Sequence, residues 1–370
     1  MEPGWRQHLG EVADPRDARG VRHRLDEMLA IVMFGVICGA EDCEAIADFG
    51  RAKEAWLRSF LTLRYGIPCA ETFRRILAAL DPDALEACLM RWLKSWKAYQ
   101  RGRHVAVDGK RLRSSFDRAS GKAAIHMIGA WATESGLSLG QLAVDSKENE
   151  ITALPSLLRL LDLNGATVTI DAMGCQRAIA GQIVAQGGDY VLALKANQPT
   201  LHEDAKLLLD EGIGRGFDGP HDFHEDADKG HGRIEIRRVW ATSDIAWFTG
   251  KDRWPGLRTW AAVECERRAG DHTSVERRYF ISSLPADAKT IGHLVRAHWQ
   301  IENGLHWILD VGFAEDQDRL RSGHAAENLS RFRRVALSLL KQESTHKLGI
   351  RNKRLRAGWD EDYLLKILAT

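Results

Sequence analysis

Three acidic residues sit in surroundings that set them apart from ordinary surface charge. Asp108 closes the run His-Val-Ala-Val-Asp, and Asp171 closes Ala-Thr-Val-Thr-Ile-Asp. Glu302 lies within His-Trp-Gln-Ile-Glu-Asn-Gly-Leu-His-Trp. The chain holds 51 acidic residues, so most of them are solvated. Asp108 and Asp171 differ because each follows a β-branched run of strand character, Val105-Ala106-Val107 and Val168-Thr169-Ile170. Small residues come next: Gly109 after the first, Ala172 and Gly174 after the second. In a layered α/β domain the carboxyl ends of central strands are where ligands bind. Two strand-end aspartates and a later helical glutamate form a donor set for two divalent ions about 3.5–4 Å apart, the arrangement used for phosphoryl transfer. An Asp at a strand end is also a common turn residue or helix N-cap, so neither Asp is decisive alone.

These side chains need elements to hold them. Leu294, Ile301, Leu305, Ile308 and Leu309 have helical spacing and predict a helix over 290–312. His298, Glu302 and His306 fall at i, i+4 and i+8 on one face of it. In zinc hydrolases the two histidines are themselves four apart, so this spacing favours histidines that hydrogen-bond or pack beside Trp299 and Trp307. Val105–Asp108, Ile125–Thr133, Leu137–Val144, Thr167–Asp171 and Tyr190–Leu194 read as strands. Glu134-Ser135-Gly136 is a hairpin signal, and Ala153–Leu161 and Gln176–Gln186 read as helices. Three antiparallel strands followed by alternating helix and strand is an RNase H-like order. Asp171 and Glu302 are too far apart in sequence for a compact nuclease core. A β-rich insertion is therefore expected at about 201–284, with strands at Ile234–Ala241, Leu257–Arg267 and Glu276–Ser283 and a mobile loop over Gly212–Gly232.

Residues 1–100 read as a small all-helical domain, with helices at Leu25–Gly39, Cys43–Phe49, Lys53–Leu61, Ala70–Ala79 and Pro82–Tyr99. Asp81 reads as an N-cap with Pro82 at the first helical position. Arg74 and Arg75 lie on a short helix that suits either DNA contact or a solvated face. The expected fold class is α/β: an RNase H-like catalytic core over 101–345 with the β-rich insertion, preceded by the helical domain and followed by a basic tail over 346–370.

Composition excludes several classes. The 44% apolar content suffices for a core, and the six cysteines contain no C-x-x-C pair, which argues against a zinc finger or a disulfide framework. The apolar run from Met28 to Ala40 is too short to cross a bilayer. With no signal peptide ahead of it, a cytoplasmic protein with no membrane partner is expected. Net charge is only +1, but from Arg319 to Arg356 eleven Lys and Arg face two acids, Glu327 and Glu343. Such a run is a solvated helix face or, beside a metal site, a phosphate-tracking surface. A last helix is expected at Ala325–Lys341, with Arg331 and Arg334 sharing a face, and Arg351, Lys353, Arg354 and Arg356 in a flexible tail.

The order of these segments resembles the ISAs1 family, the H-repeat-associated proteins, within the IS4-like DDE transposase superfamily. Asp14-Pro15-Arg16, Arg22-His23, Tyr65-Gly66-Ile67-Pro68 and Leu80-Asp81-Pro82 resemble its N-terminal associated domain. Val107-Asp108-Gly109-Lys110, Lys147-Glu148-Asn149-Glu150-Ile151, Thr169-Ile170-Asp171-Ala172, Tyr190 to Gln198, His231-Gly232-Arg233-Ile234-Glu235 and Trp299-Gln300-Ile301-Glu302-Asn303 resemble successive catalytic blocks, as do Leu305-His306-Trp307 and Leu309-Asp310-Val311. The resemblance covers almost the whole chain. It implies an RNase H-like fold and a catalytic triad at Asp108, Asp171 and Glu302. It also implies two Mg²⁺ or Mn²⁺ ions and cutting and joining of double-stranded DNA at inverted-repeat ends and target, by a protein that is a homodimer on DNA. One departure stands out. The superfamily's Tyr-x2-Arg-x3-Glu-x6-Lys signature falls here on Val295, His298, Glu302 and Leu309, so only the Glu matches. Trp299 does resemble the superfamily's aromatic at that step.

Candidate DNA contacts are Lys110, which shares a strand face with Asp108, and Lys195, Asn197 and Gln198 just past the fifth strand. Arg233, His298, Trp299 and the six basic residues near the C-terminus complete the set. An ion pair between Arg233 and Glu235, or between Lys110 and a nearby acid, is the competing reading. A nuclease of the same fold that cuts without joining, and a remnant that binds DNA without activity, are the alternative functions.

Overall fold

The computed structural model describes residues 4–96, 104–116, 123–144, 150–230 and 232–369. Its contacts divide the chain into two units. The first is Met1–Gly102, Gly109–Lys147 and Glu302–Thr370, and the second is Arg103–Asp108 and Glu148–Ile301.

The first unit opens with helices α1 (Gly4–Leu9), α2 (Leu25–Ile37), α3 (Cys43–Ala52), α4 (Glu54–Leu57), α5 (Ala70–Ala79) and α6 (Pro82–Lys94). The apolar run at Met28–Ala40 becomes α2, buried on every side as a core helix. Asp81 caps α6 by accepting from the Asp83 and Ala84 backbone N–H groups, with Pro82 at the first turn, as expected; such a cap contributes about 1 kcal/mol. The expected end of that helix, at 97–99, lies outside the described residues. Arg74 pairs with Glu71 and Glu44, and Arg75 with Glu71, so this short helix spends its charge on its neighbours.

Strand β1 (His104–Arg111) passes from the second unit into the first, where the order is β3 (Leu137–Val144), β2 (His126–Ala132), β1. In the second unit the order runs from β1 through β4 (Thr167–Ile170), β5 (Asp189–Leu194), β9 (His272–Ser282), β8 (Thr259–Ala269) and β7 (Arg233–Thr242) to β6 (His221–Gly230). Strands β1, β4 and β5 are parallel, and β9 joins β5 antiparallel. The β-rich insertion therefore extends the same sheet. Helices α7 (Glu150–Leu160), α8 (Arg177–Ala185), α9 (Pro199–Arg215) and α10 (Ala288–His298) complete this unit. Neighbouring residues on a strand face opposite ways. Phe280 packs with Ile291 and Leu294 of α10, while Tyr279 donates from its hydroxyl to Asp210 of α9. The two helices thus cover opposite faces of the extension.

The expected loop over Gly212–Gly232 is instead the end of α9 and the edge strand β6. β6 pairs with β7 over ten residues but is exposed along most of its length, so it lacks the apolar alternation that reveals a half-buried strand. His231 and the Lys147–Asn149 part of the family-like block lie outside the described residues.

The C-terminal part of the first unit departs most from expectation. After α11 (Trp307–Gly312) come α12 (Ala325–Gln342), α13 (Ile350–Trp359) and α14 (Glu361–Leu368), so the expected tail over 346–370 is two helices. α12 packs on α2, α5, α6, β3, α13 and α14 and is buried from Ala325 to Leu340. Its arginines are interior. Arg331 pairs with Glu86 and Glu327, and Arg333 with Asp318. Arg334 lies so close to β2 that a Cβ at Gly129 would come within 2.7 Å of its Nη1.

Candidate active site

The parallel register of β1 and β4 pairs His104 with Thr167 and ends with Val107 opposite Ile170. One step further along each strand are Asp108 and Asp171. Asp108 lies within β1 where its pairing with β4 ends, and Asp171 lies just past the last residue of β4, on neighbouring strands about 4.8 Å apart. Both are half-buried. Asp171 also behaves as the turn residue allowed for in the sequence: its Oδ1 accepts from the Met173 and Gly174 N–H groups and caps a short 3₁₀ turn, Ala172–Gly174. That role engages Oδ1 and leaves Oδ2 as a donor atom.

Asn197 and Gln198, expected to touch DNA, hold this turn instead. Asn197 donates to the Ala172 carbonyl, and Gln198 donates to the Cys175 carbonyl at 3.1 Å. Their amides are engaged in fixing the segment after Asp171. Lys195 is exposed beside them.

The division between the units falls after Asp108 and again after Ile301, so Glu302 opens a segment of the first unit. The predicted helix over 290–312 is α10, a π-turn at Glu302–His306, and α11. Single π-turns inside helices recur at functional sites. Glu302 is exposed, and its Oε2 lies 3.1 Å from His306 Nδ1. His306, only 5% exposed, holds the Glu302 carboxyl below its ordinary pKa through that hydrogen bond. Both side chains offer ligand atoms at a spacing suited to a metal ion. The hydrogen-bonding role expected of His306 is filled by Glu302, its i, i+4 partner.

His298 sits in a buried hydrogen-bond relay. Its Nδ1 is 2.9 Å from the Thr169 hydroxyl, which is 2.8 Å from His104 Nε2. Burial pushes the His104 pKa down to about 3, so that imidazole is neutral. The relay ties the end of α10, one turn before Glu302, to β4 two residues before Asp171. Trp299 is half-exposed, with Arg278 stacked over its ring at 5.1 Å. Arg233 is exposed and pairs with Glu235 at 2.8 Å.

Five other expected DNA contacts are corrected by their burial. Lys110 is 7% exposed and pairs with Asp310 and, at 2.6 Å, with Glu315. Reaching a phosphate would strip two carboxylates of their counter-ion. Arg331 and Arg334 are 1% exposed. Lys353 donates to the Leu340 carbonyl, and Arg354 donates to the Val36, Ala40 and Gly312 carbonyls, closing the C-terminal end of α2. Arg356 is half-buried beside His346 and Asp360, and Arg351 is exposed. Of the basic run from Arg319 to Arg356, Arg331, Arg333, Arg334, Lys353 and Arg354 are thus interior, and Arg319, Arg321, Lys347 and Arg351 are exposed.

Comparison with known proteins agrees with the sequence order. The DDE_Tnp_1-associated model matches residues 6–93, and the Transposase DDE domain model matches residues 99–339. "H repeat-associated putative transposase YhhI" of Escherichia coli (strain K12) is 36% identical over 375 residues, covering 98% of this chain and 97% of that protein. "Putative transposase YncI" of Escherichia coli O157:H7 is 36% identical, covering 98% and 94%. "Uncharacterized protein in dhlA 3'region" of Xanthobacter autotrophicus is 45% identical, covering 78% and 97%. Among solved structures, a piggyBac transposase synaptic complex with hairpin DNA aligns over 99% of this chain and 79% of its own, at 12% identity and a TM-score of 0.46. With both of its segments matched in order and relatives alike from end to end, the chain belongs to the DDE transposase family.

Proposed function

We propose that this protein cuts and joins double-stranded DNA at the ends of an insertion sequence of the ISAs1 type. In this reading Asp108, Asp171 and Glu302 form a two-metal site for in-line phosphoryl transfer. The observation that supports it is the parallel register of β1 and β4, whose last pair, Val107 and Ile170, immediately precedes the two aspartates. The donor chemistry fits Mg²⁺ or Mn²⁺: hard carboxylate oxygens on rigid elements, with Asp171 Oδ2 and Glu302 Oε1 outside the hydrogen bonds described above.

Asp108, Asp171 and Glu302 would together hold the ions. Bound there, the ions would activate the attacking hydroxyl and stabilise the leaving 3′-oxygen. His306 holds the Glu302 carboxyl by a hydrogen bond. Asn197 and Gln198 hold the turn that fixes Asp171. The His104–Thr169–His298 relay holds the end of α10 on β4. Catalysis then rests on positioning and on preorganised charge. The DNA ends, the target and a second copy of the chain would be the partners.

The test is cleavage and strand transfer by Asp108→Asn and Glu302→Gln variants on a duplex spanning the inverted repeat that flanks the coding region. Both variants are expected to lose cleavage while binding the duplex as the parent does, because phosphate contacts come from cations. Retained cleavage in either variant refutes the triad, cleavage without joining by the parent identifies a nuclease, and binding without cleavage by the parent identifies an inactive remnant.

A further inference from the structure

Lys341, in the last turn of α12, carries a charge with no carboxylate partner among the described residues. Its Nζ lies 4.9 Å from the centre of the Trp131 ring on β2. Of the buried cations of α12 and α13, Arg331 has Glu86, Arg333 has Asp318, and Lys353 has Glu343 with two carbonyls, while Arg334 makes no hydrogen bond but is offset by the charges of Glu315 and Glu86. Lys341 has none of these. Among the described residues no carboxylate enters its surroundings, and the nearest charge felt there is a second cation, Lys353.

The backbone around Lys341 is shaped to admit it. A Cβ at Gly304 would lie 3.4 Å from Nζ and 3.9 Å from Trp131, so the ammonium sits against the π-turn two residues past Glu302. On the hairpin side, Gly136 turns the chain with φ +66°, and a Cβ there would come within 3.1 Å of Lys341 Cδ. A side chain at Gly136 would press on the lysine stem, and one at Gly304 would meet the ammonium at contact distance. Burial pushes the Lys341 pKa down to about 8, consistent with a cation that lacks an anion.

A half-buried ammonium with no acid partner is costly unless an anion arrives to share the site. From this we infer that Lys341 contacts a DNA phosphate beside the bond cut at the Glu302 turn, with Trp131, Gly136 and Gly304 as its cradle. The inference rests on the DNA reading proposed above. An aromatic ring under the ammonium fixes its position without neutralising it, so the charge stays available to the phosphate.

The test uses the full-length protein without divalent metal, and a duplex spanning the flanking inverted repeat. Limited acetylation read by mass spectrometry should show Lys341 modified in the free protein and protected by the duplex. Lys341→Gln should flatten the slope of log affinity against log salt by about 0.9, the effect of one phosphate contact, and Lys341→Arg should restore it. An unchanged slope in Lys341→Gln, or a Lys341 still acetylated while other lysines are protected, overturns the inference and leaves the DNA reading standing. No binding by the parent protein overturns both. Acetylation is read on the parent chain, so it decides the matter even if Lys341→Gln folds poorly.

Discussion

Arg331→Met separates interior counter-ions from DNA contacts. Arg331 is 1% exposed, with its Nε 3.1 Å from Glu86 and its Nη1 3.3 Å from Glu327. Glu86 is itself buried, and burial pushes its carboxyl pKa up while the Arg331 charge opposes that push. Removing one partner of a buried pair costs about 3–5 kcal/mol, because the other charge is left uncompensated. Glu86 would keep the Gln141 backbone N–H at 2.9 Å and Glu327 would keep His324, which places the loss near the low end, about 3 kcal/mol. That is a large share of a domain stability of about 5–15 kcal/mol. Urea denaturation followed by tryptophan fluorescence should show the midpoint falling accordingly. Adding Glu86→Gln should recover more than half of the loss, since an amide accepts the same Gln141 hydrogen bond without needing a counter-charge. An unchanged midpoint in Arg331→Met, together with weaker DNA binding and a flatter salt slope, would refute the interior assignment.

Glu315 gives a pH signature. Despite the penalty of burial, Lys110, Arg334 and Arg333 hold its pKa down to about 2, against an ordinary 4.5. A depressed folded pKa contributes stability that is present above about pH 4.5 and lost as pH falls toward 2. Acid titration of stability should therefore be flatter across that window in Glu315→Gln than in the parent, and equal slopes would contradict the pairing. Thr169→Val leaves His104 and His298 without their shared hydroxyl. It should cost roughly 1–3 kcal/mol and slow cleavage more than it weakens DNA binding, with Thr169→Ser restoring both; a variant with parental cleavage would show that the relay positions nothing.

The strands bearing Asp108 and Asp171 were legible because a buried strand announces itself by β-branched density, and the helix bearing Glu302 by its apolar spacing. The π-turn was not legible, because one extra residue in a turn leaves that spacing nearly intact. Edge strand β6 escaped because it is exposed along most of its length and carries no apolar alternation. The misread basic run has a different cause. Arg331 and Arg333 find their acids at Glu86 and Asp318, and Arg354 finds its carbonyls on α2, all outside the run itself. A charge count along the chain sees the cations without their partners. Lys110 follows its competing reading, an ion pair, with acids that lie far along the sequence, Asp310 and Glu315.

The central claim is that Asp108, Asp171 and Glu302 share two metal ions. Crystals of the full chain with Mn²⁺ and a DNA end, examined by anomalous scattering at the manganese edge, test it most directly. Two peaks about 3.5–4 Å apart, with Asp108 between them and Asp171 and Glu302 each bound to one, are the expected result. Manganese bound without Asp171 or Glu302 in its ligand set would contradict the claim.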